Sequence, residues 1–445
     1  RKKGRVVGLR REIIKNSKTL RYHVVEARTE GGLGFDPEEG STGGNATCPF
    51  CQSVADDEYV KVEGRAGRLT RAPLAVVCIR AGSQGKVYLS LEAAGRAAFV
   101  DDNDIEQRIE KLSVQSGLTP PDEPLPVNNM RAFVPWGYGL TRWKDLFTPR
   151  QLLSLLVFTK HIRQAGLEML GAGYDADRAK ALTVALMCVL DRLADFNSTM
   201  CLFNSTGGRG VRNTFGRGAL AMTWDFAETN PFNPKAASWI SGVKDVGAAI
   251  AKVGQGQTAT VVRGSATELP FEPNFFDAIV TDPPYYDNIP YADLSDFFYV
   301  WARRAIGDLF PEHFTTPLTP KRREAIAEPA RHGGDKAAAR REYEALMSRA
   351  FEEMNRVLKP NGPLVCVYAH KTVAGWATLI DALRQARFVV VEAWPLDTEK
   401  RGRPRDQDSA ALASSIFLVA RRREGKETGS YERQVRPELE AIVSE

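Results

Sequence analysis

One stretch restricts this chain more than any other: Ala278-Ile279-Val280-Thr281, followed at once by Asp282-Pro283-Pro284-Tyr285. A short run rich in β-branched residues, bounded by charge and proline, reads as a strand buried on both faces of a parallel sheet. Two consecutive prolines cannot continue a ladder, because neither has an N–H to donate. The strand therefore stops abruptly, and the backbone is stiff where an α/β sheet places its ligand crevice. The residues at that stop carry chemistry. A carboxylate and a proline carbonyl accept both hydrogens of an exocyclic amine, which aims the nitrogen lone pair at an electrophile. An adjacent aromatic ring stacks on a base taken out of a duplex. The structural alternative is a bare stop signal, and the aromatics that follow, from Tyr286 and Tyr291 to Phe297, Phe298, Tyr299 and Trp301, weigh against it. Part of that series belongs to the core of the next helix, so the candidate site ends at Tyr291.

Around this stretch the pattern alternates. Helices are expected over 238–254, 292–305, 341–357 and 373–386, and strands over 258–262, 278–281, 364–369, 388–394 and 415–420. Crossover helices between parallel strands, closed by a hairpin, describe a doubly wound α/β sheet with an antiparallel end over 201–424. A polar segment over 311–338 interrupts it, and 425–445 read as a polar tail. Upstream, 126–200 read as a linker followed by an αα-hairpin. Thr148 and Pro149 form the N-cap and first turn of a helix over 149–165, and Gly171-Ala172-Gly173 separates it from a second over 176–196. The glycine-rich 204–217 segment fits neither a P-loop nor the dinucleotide fingerprint and reads as a connecting loop.

Residues 1–125 read as a small β-rich module around Cys48-Pro49-Phe50-Cys51. Two thiolates at that spacing grip one Zn²⁺ from a tight turn, but a structural site needs four ligands. Cys78 is a candidate third, although its apolar surroundings favour a buried free thiol. A redox pair usually opens a helix after a strand, so half a zinc ribbon is the better reading. With 6 cysteines unevenly spaced over 445 residues there is no disulfide framework, and a reduced cytoplasmic setting fits. A net charge of +5 permits nucleic-acid binding without demanding it. No apolar run reaches membrane-spanning length.

Asp282-Pro283-Pro284-Tyr285 resembles the amino-methyltransferase motif of DNA adenine methylases. Together with the segments TATVVRGSATELPF, FEEMNRVLKPNGPLVCVYAHK and RPRDQDSAALASSIFLVARRR, the cysteine knuckle and Asp145-Leu-Phe-Thr-Pro-Arg-Gln151, it resembles the zinc-ribbon-containing adenine-specific DNA methylases, often found among phage-defence genes. The resemblance implies the second half of the class I methyltransferase fold, with S-adenosylmethionine as cofactor and DNA as partner. It implies that Asp282 and the Pro283 carbonyl bind the target amine, with Pro284 completing the turn. Tyr285 would stack on the flipped adenine, with Tyr286, Asn288 and Tyr291 shaping the pocket. Gly264, Ser265 and Ala266, with Asp282, would lie near the cofactor's adenine, and Cys48 and Cys51 would hold zinc. The glycine-rich turn after a first strand, and the acidic residue that binds ribose, are absent ahead of residue 258. The chain starts without methionine, so the expectation is a subunit or fragment completed by an N-terminal methyltransferase half, or working with other defence-system subunits. Cytosine-N4 transfer, RNA guanine-N2 transfer and a non-catalytic nucleic-acid-binding module are the alternatives. The 311–338 insertion and the loop over 401–405 are the expected readers of the DNA sequence.

Overall fold

The computed structural model describes residues 5–36, 39, 44–79, 85–95, 101–127, 132–203, 210–216, 218–234, 237–254, 256–285, 289–370, 372–396, 415–423 and 436–437. The chain forms two compact units, Arg1–Thr258 with Tyr291–Lys321, and Ala259–Pro290 with Arg322–Glu445. The stretch that reads as one piece in the sequence is thus divided between them after Pro290.

The first unit begins with β1 (Val6–Ile14) and β2 (Thr19–Ala27), an antiparallel hairpin in unbroken register. Three shorter pairs follow: β3 (Ala46–Thr47) with β4 (Val54–Ala55), β5 (Val76–Ile79) with β6 (Lys86–Leu89), and β7 (Leu202–Phe203) with β8 (Val211–Arg212). Among them lie α1 (Asp57–Arg65), α2 (Leu91–Ala94) and α3 (Asp102–Ser116). Helix α1 meets the loop at Tyr138 so closely that a Cβ on Gly64 would lie 2.4 Å from the Tyr138 carbonyl oxygen, which leaves room for glycine alone.

The helical centre is α4 (Pro149–Gly171) packed on α5 (Ala176–Asp195), with α3 against α4, α6 (Trp239–Val253) against α5, and α7 (Tyr291–Ile306) against both α4 and α5. Thr148 caps α4 as expected, its hydroxyl accepting from the Gln151 N–H while the Gln151 side chain accepts from the Thr148 N–H 2.8 Å away. The helix runs past its expected end near residue 165 to Gly171, and the chain turns at Gly173 with φ +82°. Its last turns carry Leu167 and Leu170 on an exposed side, so the apolar stripe ends before the hydrogen bonding does.

The core of this unit is aromatic. Trp143, Phe297 and Trp301 are each 0% exposed, and Phe147 stacks on Phe297 at 5.6 Å with Trp301 edge-on at 5.7 Å. Asp296, one residue before Phe297, is also 0% exposed. Its carboxylate accepts from the Thr319 N–H at 2.8 Å, the Thr319 hydroxyl at 2.6 Å and Lys321 Nζ at 2.6 Å. Burial pushes its pKa above the ordinary carboxylate range, and Lys321 and Thr319 pull it back only in part. This cluster pins the 311–321 segment, expected as part of a polar insertion, to a buried helix.

The second unit is built on a four-stranded sheet in the order β11-β12-β10-β9. Strands β9 (Ile279–Thr281) and β10 (Leu364–Tyr368) run parallel, with Ile279 beside Leu364 and Thr281 beside Cys366. Strands β11 (Phe388–Leu396) and β12 (Ser415–Arg422) pair antiparallel with each other, with a register shift between Val390 and Glu392, and β12 lies antiparallel to β10. Helices α8 (Lys336–Val357) and α9 (Val373–Gln385) join this core. Leu364, Cys366 and Tyr368 alternate with Val365 and Val367 and are the fully buried face of β10, packed with Tyr343, Met347 and Phe351 of α8 and Leu379 and Leu383 of α9.

The sheet holds one parallel pair among the described residues, with α8 and α9 in one buried cluster, a mixed α/β arrangement that does not by itself establish the expected doubly wound sheet. One expectation is corrected. The expected strand over 258–262 is not formed: among the described residues it pairs with no neighbour, and Val261 is 92% exposed. β propensity alone does not hold a strand whose backbone has no partner. In its place β9 is an edge strand, with Val280 73% exposed. No described helix is long and apolar enough to cross a membrane.

Candidate functional site

The carboxyl ends of β9 and β10 hold the candidate site of the second unit. Asp282 follows directly on β9 and is exposed, Pro283 is buried, and Pro284 and Tyr285 are half-buried. Among the described residues no cation pairs with the Asp282 carboxylate. Its charge is felt on the neighbouring strand: burial pushes the Cys366 thiol up to about 12, and Asp282 adds to the effect. The two prolines carry no N–H, so Asp282-Pro283-Pro284 presents acceptors and hardly any donors.

Behind the turn lies a hydrogen-bonded aromatic wall. Tyr343, on α8 and 1% exposed, donates its hydroxyl to the Pro284 carbonyl at 2.9 Å. The Tyr285 ring meets Tyr368 edge-on at 5.1 Å, and Tyr368 in turn meets Trp376 edge-on at 5.1 Å. His370 closes the end of β10, its ring parallel to that of Tyr368 within 14°. The imidazole accepts from the Thr372 N–H at 3.1 Å, and its own carbonyl accepts from Trp376 Nε1 at 3.1 Å. A Cβ on Gly375 would lie 2.2 Å from His370 Nδ1, so the first turn of α9 leaves the ring its place by carrying glycine.

The segment leading into β9 is held by the last turns of α8. Glu353 accepts from the Leu269 N–H at 2.9 Å, and Arg356 donates to the Phe271 and Leu269 carbonyls at 2.8 Å and 2.9 Å. Phe276 pairs with the end of the helix through Val357, and Lys359 donates back to Phe276. Gly264, Ser265 and Ala266 sit at the start of this segment. Their turn closes on itself: the Ser265 hydroxyl lies 2.8 Å from that of Thr267, and the Ser265 carbonyl accepts from Glu268 at 3.1 Å. Among the described residues no strand leads directly into this turn, and those residues do not by themselves fit the methionine or ribose parts of S-adenosylmethionine.

The predicted residues therefore divide. Asp282, Pro283, Pro284 and Tyr285 are together at one strand end. Tyr291 is the first residue of α7 in the first unit, 61% exposed. Tyr286 and Asn288 lie outside the described residues, as do 204–209 of the glycine-rich loop and the loop over 401–405. Tyr343, Tyr368 and His370 were missed by the reading of single motifs. Applying to β10 the strand-end rule used for β9 would have reached Tyr368 and His370; Tyr343 lies on a helix whose apolar spacing marks it only as core.

Cys48 and Cys51 occupy the turn between β3 and β4, closed by the Cys48 N–H on the Ser53 carbonyl at 2.8 Å and the Gln52 N–H on the Cys48 carbonyl at 2.9 Å. The Ser53 hydroxyl, 2.9 Å from the Cys51 sulfur, and the neighbouring Cys48 bring the exposed Cys51 thiol down to about 7. No group of three or more metal-ligating side chains exists among the described residues, Cys78 included, so this pair does not complete a tetrahedral zinc site.

No protein-family model matches the chain, and no curated protein matches it. Among solved structures it is similar to a Thermus thermophilus protein named "Putative DNA Modification Methylase", at 17% identity and a TM-score of 0.21, over 38% of this chain and 57% of that one. It is similar to the [4+2]-cyclase SpnF at 15% identity and a TM-score of 0.21, over 43% of this chain and 64% of that one. In both cases the chain covers less than two thirds of the other protein. At that score neither likeness bears on what the chain does.

Proposed function

We propose that the second unit carries the amine-orienting half of a methyltransferase site, acting on the N6 amine of an adenine displaced from DNA. The observation that supports this reading is the acceptor-rich turn at the carboxyl end of β9: an exposed carboxylate, a proline carbonyl beside it, and a ring held edge-on against Tyr368. A neutral amine needs alignment and a lone pair set free to attack more than it needs a strong base. Asp282 and the Pro283 carbonyl accept its two hydrogens, and Tyr285 stacks on the ring. S-adenosylmethionine, when bound, supplies an electrophilic methyl group. Because the described residues do not fit most of that cofactor, the proposal includes a second polypeptide segment that completes its site. Zinc at Cys48 and Cys51 likewise needs ligands from elsewhere, and a role in phage defence rests on the resemblance alone.

The assay is methyl transfer from labelled S-adenosylmethionine to DNA and to RNA, with the chain alone and with the polypeptide encoded immediately upstream. N6-methyladenine in DNA is the expected product. N4-methylcytosine, or label in RNA only, would replace adenine with another amine substrate. Tight nucleic-acid binding with no transfer under any combination would favour a non-catalytic binding module, the reading that the unformed strand over 258–262 supports.

A further inference from the structure

The turn offers three acceptors in sequence, the Asp282 carboxylate and the carbonyls of Pro283 and Pro284, while an exocyclic amine has only two hydrogens to place. Three open acceptors would let the amine settle in more than one register, and in some of them its lone pair would point away from the methyl donor. The structure removes that choice. Tyr343 of α8 reaches the Pro284 carbonyl at 2.9 Å from within the core, 1% exposed and in the same buried cluster as Met347, Tyr368 and Leu379. Among the described residues nothing donates to the Pro283 carbonyl.

We propose that Tyr343, by occupying the Pro284 carbonyl, restricts the turn to the Asp282 carboxylate and the Pro283 carbonyl, and is thereby the positioning residue of the amine subsite. This rests on the methyltransferase reading above. Tyr343 shares its buried cluster with Tyr368, whose hydroxyl donates to the Gly375 carbonyl at 3.3 Å. The wall therefore runs from the motif through α8 and the end of β10 to the first turn of α9. Tyr368 carries the edge-on contact with Tyr285 as well, so the amine acceptors and the stacking ring share one support.

The test needs neither cofactor nor turnover. Binding of adenosine and of purine riboside, the same nucleoside without the 6-amino group, is measured by NMR titration on the full chain. The ratio of the two affinities reports the amine contacts alone, whereas a loosened fold or a lost ring contact moves both ligands together. In the wild type adenosine binds about tenfold more tightly, the equivalent of one to two net hydrogen bonds. Tyr343→Phe, which removes a single oxygen, lowers that ratio to about two while purine riboside changes by less than about twofold. 4-Aminophenylalanine at position 343 keeps a donor there and restores the ratio; if the phenylalanine variant does not fold, this variant carries the test, and a lost ratio in it contradicts a donor role. Asp282→Asn separates the two layers of the reading. A ratio that collapses in Asp282→Asn but stays at wild-type value in Tyr343→Phe overturns the positioning role and leaves the amine site standing. A ratio near one in the wild type overturns both.

Discussion

Two aspartates on the same stretch of sequence have opposite surroundings. Asp282 ends a strand of the second unit, exposed and with no described cation against its carboxylate. Asp296 lies within α7 of the first unit, 0% exposed, with Thr319 and Lys321 filling its oxygens. A buried carboxylate persists only when hydrogen bonds and a counter-charge replace water, and those same bonds leave it nothing to offer a ligand. A carboxylate at a strand end keeps its lone pairs. The contrast separates a residue that holds the fold from one available for chemistry, and it predicts that the two respond oppositely to the same substitution.

The largest stability effect belongs to Asp296. Asp296→Ala removes the buried carboxylate that accepts from the Thr319 N–H, the Thr319 hydroxyl and Lys321 Nζ, and the first unit should lose about 3 kcal/mol in urea denaturation, at the low end of the range seen when one member of a buried pair is removed. Asp282→Ala should change the same measurement by less than about 0.5 kcal/mol, as for a surface position; a comparable loss would erase the distinction. Thr319→Val removes the hydroxyl but not the N–H bond to Asp296, and about 1 kcal/mol is expected. The smallest effect is on pH dependence. The folded protein holds the Asp296 proton more tightly than the unfolded chain does. Stability from this group is therefore greatest below the unfolded carboxyl value, about 3.9, and falls as pH rises from there through the raised folded value. The advantage of the wild type over Asp296→Asn should shrink across that window, and an advantage that grows instead would mean that Lys321 outweighs burial.

Local chemistry was legible where it is decided locally. Thr148 with Pro149 marked the start of α4 because a cap is a property of four consecutive residues, and the 278–281 strand was legible from its bounding prolines. The strand over 258–262 was not, because its formation depends on a neighbour to pair with: β10 has β9 on one side and β12 on the other, and 258–262 has none among the described residues. Nor could the sequence show that Asp296 is buried and paired, since Thr319 and Lys321, which hold it, lie beyond the end of its helix. Tyr343 escaped notice for the same reason, as its hydroxyl meets a carbonyl far away along the chain.

The most direct test of the central claim is methyl transfer to DNA by Asp282→Asn, which keeps the shape of the side chain and removes its charge, assayed with S-adenosylmethionine and the upstream polypeptide. The amine-orienting role predicts that turnover falls by about a thousandfold, in the range for the loss of one preorganised electrostatic contact, while the thermal transition stays within about 2 °C of the wild type. Turnover within about threefold of the wild type, under conditions where the wild type methylates adenine, would contradict it.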